Sequence, residues 1–191
     1  MDLHKFGIKF FAHGAEQIDV LKLIPIYHRW IQQDLLEDLL IDVADYSHVP
    51  GGPGVMLIAH EGNYALDETG QERGVLYYSK HRLEGELPER MAQVARKALK
   101  AAQLMSSDPE LGGVLRLPGN QLQFLANDRL VAPNTEAAYA ELEPALRQFL
   151  ERLYGGAAYT VARTPQARER LSVRVQADAE TELATLLERL T

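Results

Sequence analysis

The chain has 191 residues, 46% of them hydrophobic, a formal net charge of −7 and no cysteine, which is enough apolar material to bury a substantial core without covalent staples. Without cysteine there are no disulfides, thiolate metal ligands, iron–sulfur clusters or thiol nucleophiles, so any metal site must be built from histidine and carboxylate. The acidic balance argues against nucleic acid, whose phosphates are held by Lys and Arg, and no apolar run nears the ~20 residues that span a bilayer.

Residues 4 to 12 alternate apolar and polar as a strand does, with Lys and His interrupting what would otherwise be an export signal. A cytoplasmic, bacterial-type protein is expected. Val20, Ile24, Tyr27, Ile31 and Leu35 then recur at helical spacing. Pro25 fits only the first turn, so the helix starts near Ile24, with Asp19 capping a preceding turn. Strands follow at 39 to 46 and 54 to 60, and again at 63 to 67 and 74 to 80 around a polar connection. Pro88 opens a second helix, whose stripe of Met91, Val94, Ala98, Ala101 and Met105 stops before Asp108-Pro109.

Val114 to Leu117 reads as a short strand, Pro118 to Asn120 as a turn and Gln121 to Ala126 as a further strand. A third helix is capped by Asn134 or Thr135, carries Tyr139, Leu142, Leu146, Phe149 and Leu153, and is closed by Gly155-Gly156. Pro144 should kink it. Strands at 157 to 163 and 169 to 176 precede a short helix at 181 to 190.

This order predicts an α+β fold with antiparallel sheets and packed helices. The favoured arrangement is two ferredoxin-like halves, a module over 1–118 and a βαββα module over 119–191 whose last strand is missing. A sheet completed by the first half, or one continuous domain with helices on one face of a single sheet, would serve as well. Phe10-Phe11-Ala12 and Phe124-Leu125-Ala126 hold equivalent places before their helices.

The strings Leu23-Ile24-Pro25-Ile26-Tyr27-His28-Arg29-Trp30-Ile31-Gln32 and Ile41-Asp42-Val43-Ala44-Asp45-Tyr46 resemble a bacterial family of uncharacterised proteins. The resemblance covers most of the chain and implies no activity, cofactor or catalytic residue.

The densest chemistry lies between Asp42 and Asp67. A hairpin that brought His48, His60 and Asp45 together would offer a divalent metal two imidazoles and a carboxylate, with Glu61 as base. Asp42 replaces Asp45 if the register shifts by one. Pro50-Gly51-Gly52-Pro53-Gly54 lacks the Lys-Ser/Thr and following helix of a phosphate loop and reads as a turn. No serine lies in a nucleophile elbow.

Tyr27, His28 and Trp30 on the first helix, with Tyr78 and its neighbours Tyr77, Lys80 and His81 on a strand, could line a pocket for a small polar or aromatic ligand. Arg163, Arg168, Arg170 and Arg174 are the one basic cluster, with Arg170, Ser172 and Arg174 on one strand face read as solvated. The sequence therefore points to a module that binds a small ligand or a second copy of itself, expected as a homodimer because the second half lacks an edge. A metal-dependent enzyme acting on a small molecule is the alternative.

Overall fold

Alternation decides the first strand. In β1 (Phe6–Phe11) Phe6, Ile8 and Phe10 face one way and Gly7, Lys9 and Phe11 the other, because successive strand side chains point to opposite sides. The same rule governs β2 (Leu40–Tyr46), β3 (Gly54–Ala59), β4 (Gly62–Asp67), β5 (Gly74–Ser79), β6 (Gln121–Ala126), β7 (Tyr159–Arg163) and β8 (Ser172–Ala177). All eight join one antiparallel sheet in the order β2-β3-β4-β5-β1-β6-β8-β7. The computed structural model describes residues 1–111, 113–166 and 168–191.

Among the described residues there are four α-helices, and local signals set the bounds of the first three. In α1 (Leu23–Gln33) Pro25 sits in the first turn, Asp19 accepts from the Leu21 amide in the turn before it, and Asp34 ends the helix in the left-handed region. In α2 (Leu87–Ser107) Pro88 lies in the first turn and the Glu86 amide donates to Glu89 at 2.8 Å. Thr135 caps α3 (Glu136–Tyr154) by accepting from the Ala138 amide at 3.2 Å, and Gly155 closes it at φ 61°. Pro144 withholds an amide from the carbonyl one turn back, yet α3 runs unbroken through it. The chain ends with α4 (Leu183–Leu190).

The topology repeats one plan twice. After β1, α1 crosses to the far edge and β2 to β5 meander back until β5 pairs with β1; after β6, α3 crosses to β7 and β8 returns beside β6. Helix α2 carries the chain over β1 from β5 to β6. Because β1 pairs with β6, Ile8 opposite Phe124, residues 119–191 extend the sheet of residues 1–118. Residues 119–191 contribute three strands, and of the arrangements open to the sequence this is the sheet completed by the first half. The open side of β6 is taken by β1, and the sheet's free edges are β2 and β7.

The segment 114 to 117 corrects the expectation of a short strand there. Only Arg116 pairs, through a single bridge to His13. Pro118 and the positive-φ residues Gly113 and Gly119 around it leave too little extended chain for a ladder.

Helices α1 to α4 cover one face of the sheet. Phe6, Ile8, Phe10, Val55, Leu57, Leu66, Val75, Leu122, Phe124, Val173 and Val175 enter a single core with Leu23, Tyr27 and Trp30 of α1, the alanine-rich inner side of α2, and Leu142, Leu146 and Phe149 of α3. Phe6 and Phe124 stack across the central pair at 5.3 Å. Among the described residues no helix is long and apolar enough to cross a membrane.

Candidate functional site

Among the described residues the opposite face of the sheet carries no α-helix, and the register fixes what it presents. One row crosses all eight strands: Ala44, Met56, Ala65, Leu76, Lys9, Gln123, Arg174 and Ala162. At its centre Lys9 is 0% exposed. Its ammonium donates to Asp67 Oδ2 at 2.6 Å and to the Thr69 carbonyl at 3.2 Å, and lies 5.2 Å from the centre of the Phe11 ring. Desolvation pushes the Lys9 pKa below its ordinary 10.5, and the attraction of Asp67 only partly offsets it. Thr69 completes the pair by donating through hydroxyl and amide to Asp67 at 2.8 and 3.2 Å.

Beside this pair the face is built from arginines laid on aromatic rings. Arg174 stacks over Phe11 at 4.1 Å and is held by Glu72 and by Gln121 at 3.0 Å. Hydrogen bonding by Arg174 keeps the Glu72 carboxyl below the usual range. Arg170 lies over Tyr78 at 5.4 Å and donates to its hydroxyl at 2.6 Å. Burial raises the Tyr78 pKa, with Arg170 opposing. The Tyr78 ring crosses β1 at Gly7, where a Cβ would lie 2.4 Å from it. Stacking of this kind fixes a guanidinium plane while leaving its N–H edge free for an acceptor.

Between these walls lies a cleft of about 530 Å³, lined by Arg129, Arg168, Arg170 and Arg174 with Asp67, Glu72, Glu169, Thr164 and Ser172. Ser172, only 4% exposed, bonds the Thr164 hydroxyl at 2.8 Å. Asp67 is matched by Lys9 and Glu72 by Arg174. Among the described residues, Arg129, Arg168 and Arg170 have no carboxylate within 4.0 Å; Arg129 instead donates to the Arg168 carbonyl at 2.6 Å. On a chain of net charge −7 this cleft therefore carries local positive charge.

Comparison with family models, with curated proteins and with solved structures finds no match to this chain. The assignment of a role accordingly rests on geometry.

The hairpin does not assemble the expected metal site. Asp45 pairs with Val55 at one end of β3, whereas His60 follows Ala59 at the other and bonds the Leu39 carbonyl. His48 lies in the turn at the Asp45 end, so six strand residues, roughly 20 Å, separate the two histidines. Among the described residues no group of three or more His, Asp or Glu has the arrangement to hold a metal ion.

His60 instead stacks on His81 at 4.7 Å. Asp45 caps the turn by accepting from Ser47 at 2.8 Å. Asp42 accepts from the Val43 amide of its own strand at 2.8 Å. Partial burial works against ionisation of Glu61, but amide hydrogen bonds from Glu61 and Leu39, with His60 nearby, overcome it and hold the carboxyl below the usual range. That makes Glu61 a strand-end cap and a poor base.

The helix–sheet pocket is not assembled either. Tyr27 and Trp30 are buried in the core against each other at 5.3 Å, and His28 is exposed on the outer side of α1. Tyr78 faces the other side of the sheet. Tyr77 stays on the helix side, where it donates with Tyr64 to buried Asp38 at 2.7 and 3.1 Å while Lys97 takes the second carboxylate oxygen. Lys80 donates to the Ala59 carbonyl at 2.6 Å.

Of the predicted ligand-binding residues, then, Tyr78 alone reaches the arginine cleft, as a stacking platform. Sequence reasoning missed Lys9, Phe11, Asp67 and Arg129. Alternation puts Lys9 and Phe11 on one strand face, but nothing local marks a lysine there as buried. Arg174 and Ser172 do share a strand face as expected. The face is half-buried by aromatic stacking rather than freely solvated.

Proposed function

We propose that this protein is a binding module that takes a small anionic ligand in the cleft on the helix-free face of its sheet. The observation that carries the reading is the set of three guanidiniums, Arg129, Arg168 and Arg170, without carboxylate partners among the described residues. Among the described residues Arg29, Arg73, Arg82, Arg90, Arg96, Arg116, Arg147, Arg163 and Arg174 pair with carboxylates, while Arg152 and Arg189, which do not, stand apart from the cleft and donate to the Arg189 and Leu153 carbonyls. Leaving three uncompensated around one cavity favours an anion that arrives from outside. The volume lies within the range of small-molecule sites.

The cleft also needs both halves of the chain: Phe11, Asp67 and Glu72 come from one, and Arg129 and Arg168 to Arg174 from the other. The ferredoxin-like reading of the halves is retained as part of this proposal, supported by the repeated strand, crossover helix and returning strand. The homodimer remains part of this proposal, with its motive moved: β1 fills the open side of β6, and the edges left for a second copy are β2 and β7.

Thermal unfolding in the presence of acetate, malonate, sulfate and inorganic phosphate tests the function. A ligand that binds the folded state at 100 times its Kd stabilises by about 2.7 kcal/mol. At least one anion should raise Tm saturably at constant ionic strength, and Arg170→Ala should abolish the effect. A Tm indifferent to every anion would end the proposal.

A further inference from the structure

We infer that the ligand group held in the arginine cleft is a tetrahedral dianion, that is, the phosphate monoester of a small soluble molecule. This rests on the anion-binding reading above and adds charge and shape to it. The charge follows from the groups that meet at the cleft. Lys9 under its floor and Arg129, Arg168, Arg170 and Arg174 around it give five cations, against the three carboxylates of Asp67, Glu72 and Glu169. An excess of two matches a doubly charged group, whereas a monocarboxylate would leave the cleft still positive.

The shape follows from where the donors stand. Arg170 and Arg174 approach along the sheet, each fixed by an aromatic ring. Arg129 and Arg168 approach from the β6–α3 and β7–β8 connections, joined by the hydrogen bond from Arg129 to the Arg168 carbonyl. From the floor comes a hydroxyl: Ser172 and Thr164 share one hydrogen bond, so whichever donates, one proton of the two remains. Donors on three sides suit the three terminal oxygens of a phosphate monoester better than the two coplanar oxygens of a carboxylate.

The test exploits the ligand's own titration. A phosphate monoester passes from one charge to two near pH ~6. The ionisable groups facing the cleft are those eight side chains and the Tyr78 phenol behind Arg170. None is a histidine, the side chain whose ordinary pKa falls inside the window from pH ~5.5 to ~7.5. His13 lies in the adjoining cleft beyond Phe11 and Glu72, and a ligand of fixed charge controls for it.

The experiment measures binding of phenyl phosphate, phenyl sulfate, benzoate and malonate to the full chain by calorimetry at both pH values. Phenyl sulfate has nearly the shape of phenyl phosphate but one charge throughout. The expected result is phenyl phosphate tightening by about threefold to fourfold between the two pH values, as its dianion fraction rises from roughly a quarter to nearly all for a pKa of ~6, with phenyl sulfate flat and both carboxylates weaker. Arg168→Ala and Arg129→Ala, exposed positions whose loss spares the fold, should each weaken phenyl phosphate more than phenyl sulfate.

Equal affinity for phenyl sulfate and phenyl phosphate at pH 7.5, or tighter binding of malonate, would overturn the dianion inference while leaving the anion-binding reading in place. No binding of any of the four would remove both.

Discussion

Ile8 and Lys9 are neighbours in β1, both are fully buried, and they are buried by different means. Ile8 points under the helices into a core where hydrophobic transfer and close packing do the work. Lys9 points to the face without helices, where the cover is made of side chains of the sheet and its loops: Phe11, Arg174, Asp67 and the turn at Thr69. The first face is stable because water is excluded from apolar surface. The second has to satisfy every charge it hides, and where it leaves guanidiniums uncompensated it has a capacity to bind. The contrast teaches that a single amphipathic strand can supply core on one side and a polar recognition surface on the other.

The contrast is broken most severely at the buried ion pair. Asp67→Ala strands the Lys9 ammonium without its carboxylate and should cost about 3–5 kcal/mol, while Lys9→Met combined with Asp67→Leu should recover most of it, since a buried pair is often replaceable by apolar groups. Urea denaturation of the two variants checks this, and equal loss in both would show that packing, not charge, governs the site. The pH dependence has a definite sign. Because the Lys9 pKa is depressed in the folded state, the unfolded chain holds the extra proton at pH values just below 10.5, and stability there rises with pH. Relative to Lys9→Met, the wild type should therefore gain stability as pH climbs through that window.

On the covered face, Phe124→Ala removes a fully buried ring stacked on Phe6 and should cost about 3–5 kcal/mol by lost burial and cavity formation. The signature differs from that of Asp67→Ala: no second substitution at a charged position should rescue it, and the cost should not vary with pH. A Phe124→Ala loss that fell steeply at alkaline pH would mean the two faces are not energetically separate.

The smallest effect belongs to the hairpin. His60 is 60% exposed and rests on His81, so His60→Ala should change stability by no more than about 0.5 kcal/mol, as exposed substitutions do. Calorimetric titration with zinc should show no saturable binding that depends on His48 and His60 together. Stoichiometric zinc lost in either single variant would contradict the separation of these residues across β3.

Local signals made much of the fold legible. Pro25 and Pro88 marked first turns, Thr135 and Gly155 bounded α3, and alternating apolar positions marked the strands, because backbone chemistry and side-chain period act over a few residues. Val114 to Leu117 misled because apolar content alone does not provide a pairing partner. His48 and His60 follow a related rule: closeness in sequence across a hairpin turn does not bring closeness in space, and the register sets them at opposite ends of one strand.

By itself the sequence determined the order of the helices and of every strand that forms, apart from the extra one expected at 114 to 117, together with the α+β class, the net negative charge and the absence of thiol chemistry. Only the tertiary structure decided that β1 and β6 pair to merge two halves into one sheet, that Lys9 is sealed against Asp67 fifty-eight positions away, and that Arg129 and Arg170 meet beside Phe11. The physical reason is that secondary structure responds to neighbours along the chain, whereas burial of a charge depends on which distant groups the sheet order brings across from it. Lys9 is written in the sequence as an ordinary polar-face lysine; the pairing of β1 between β5 and β6 is what made it a buried one.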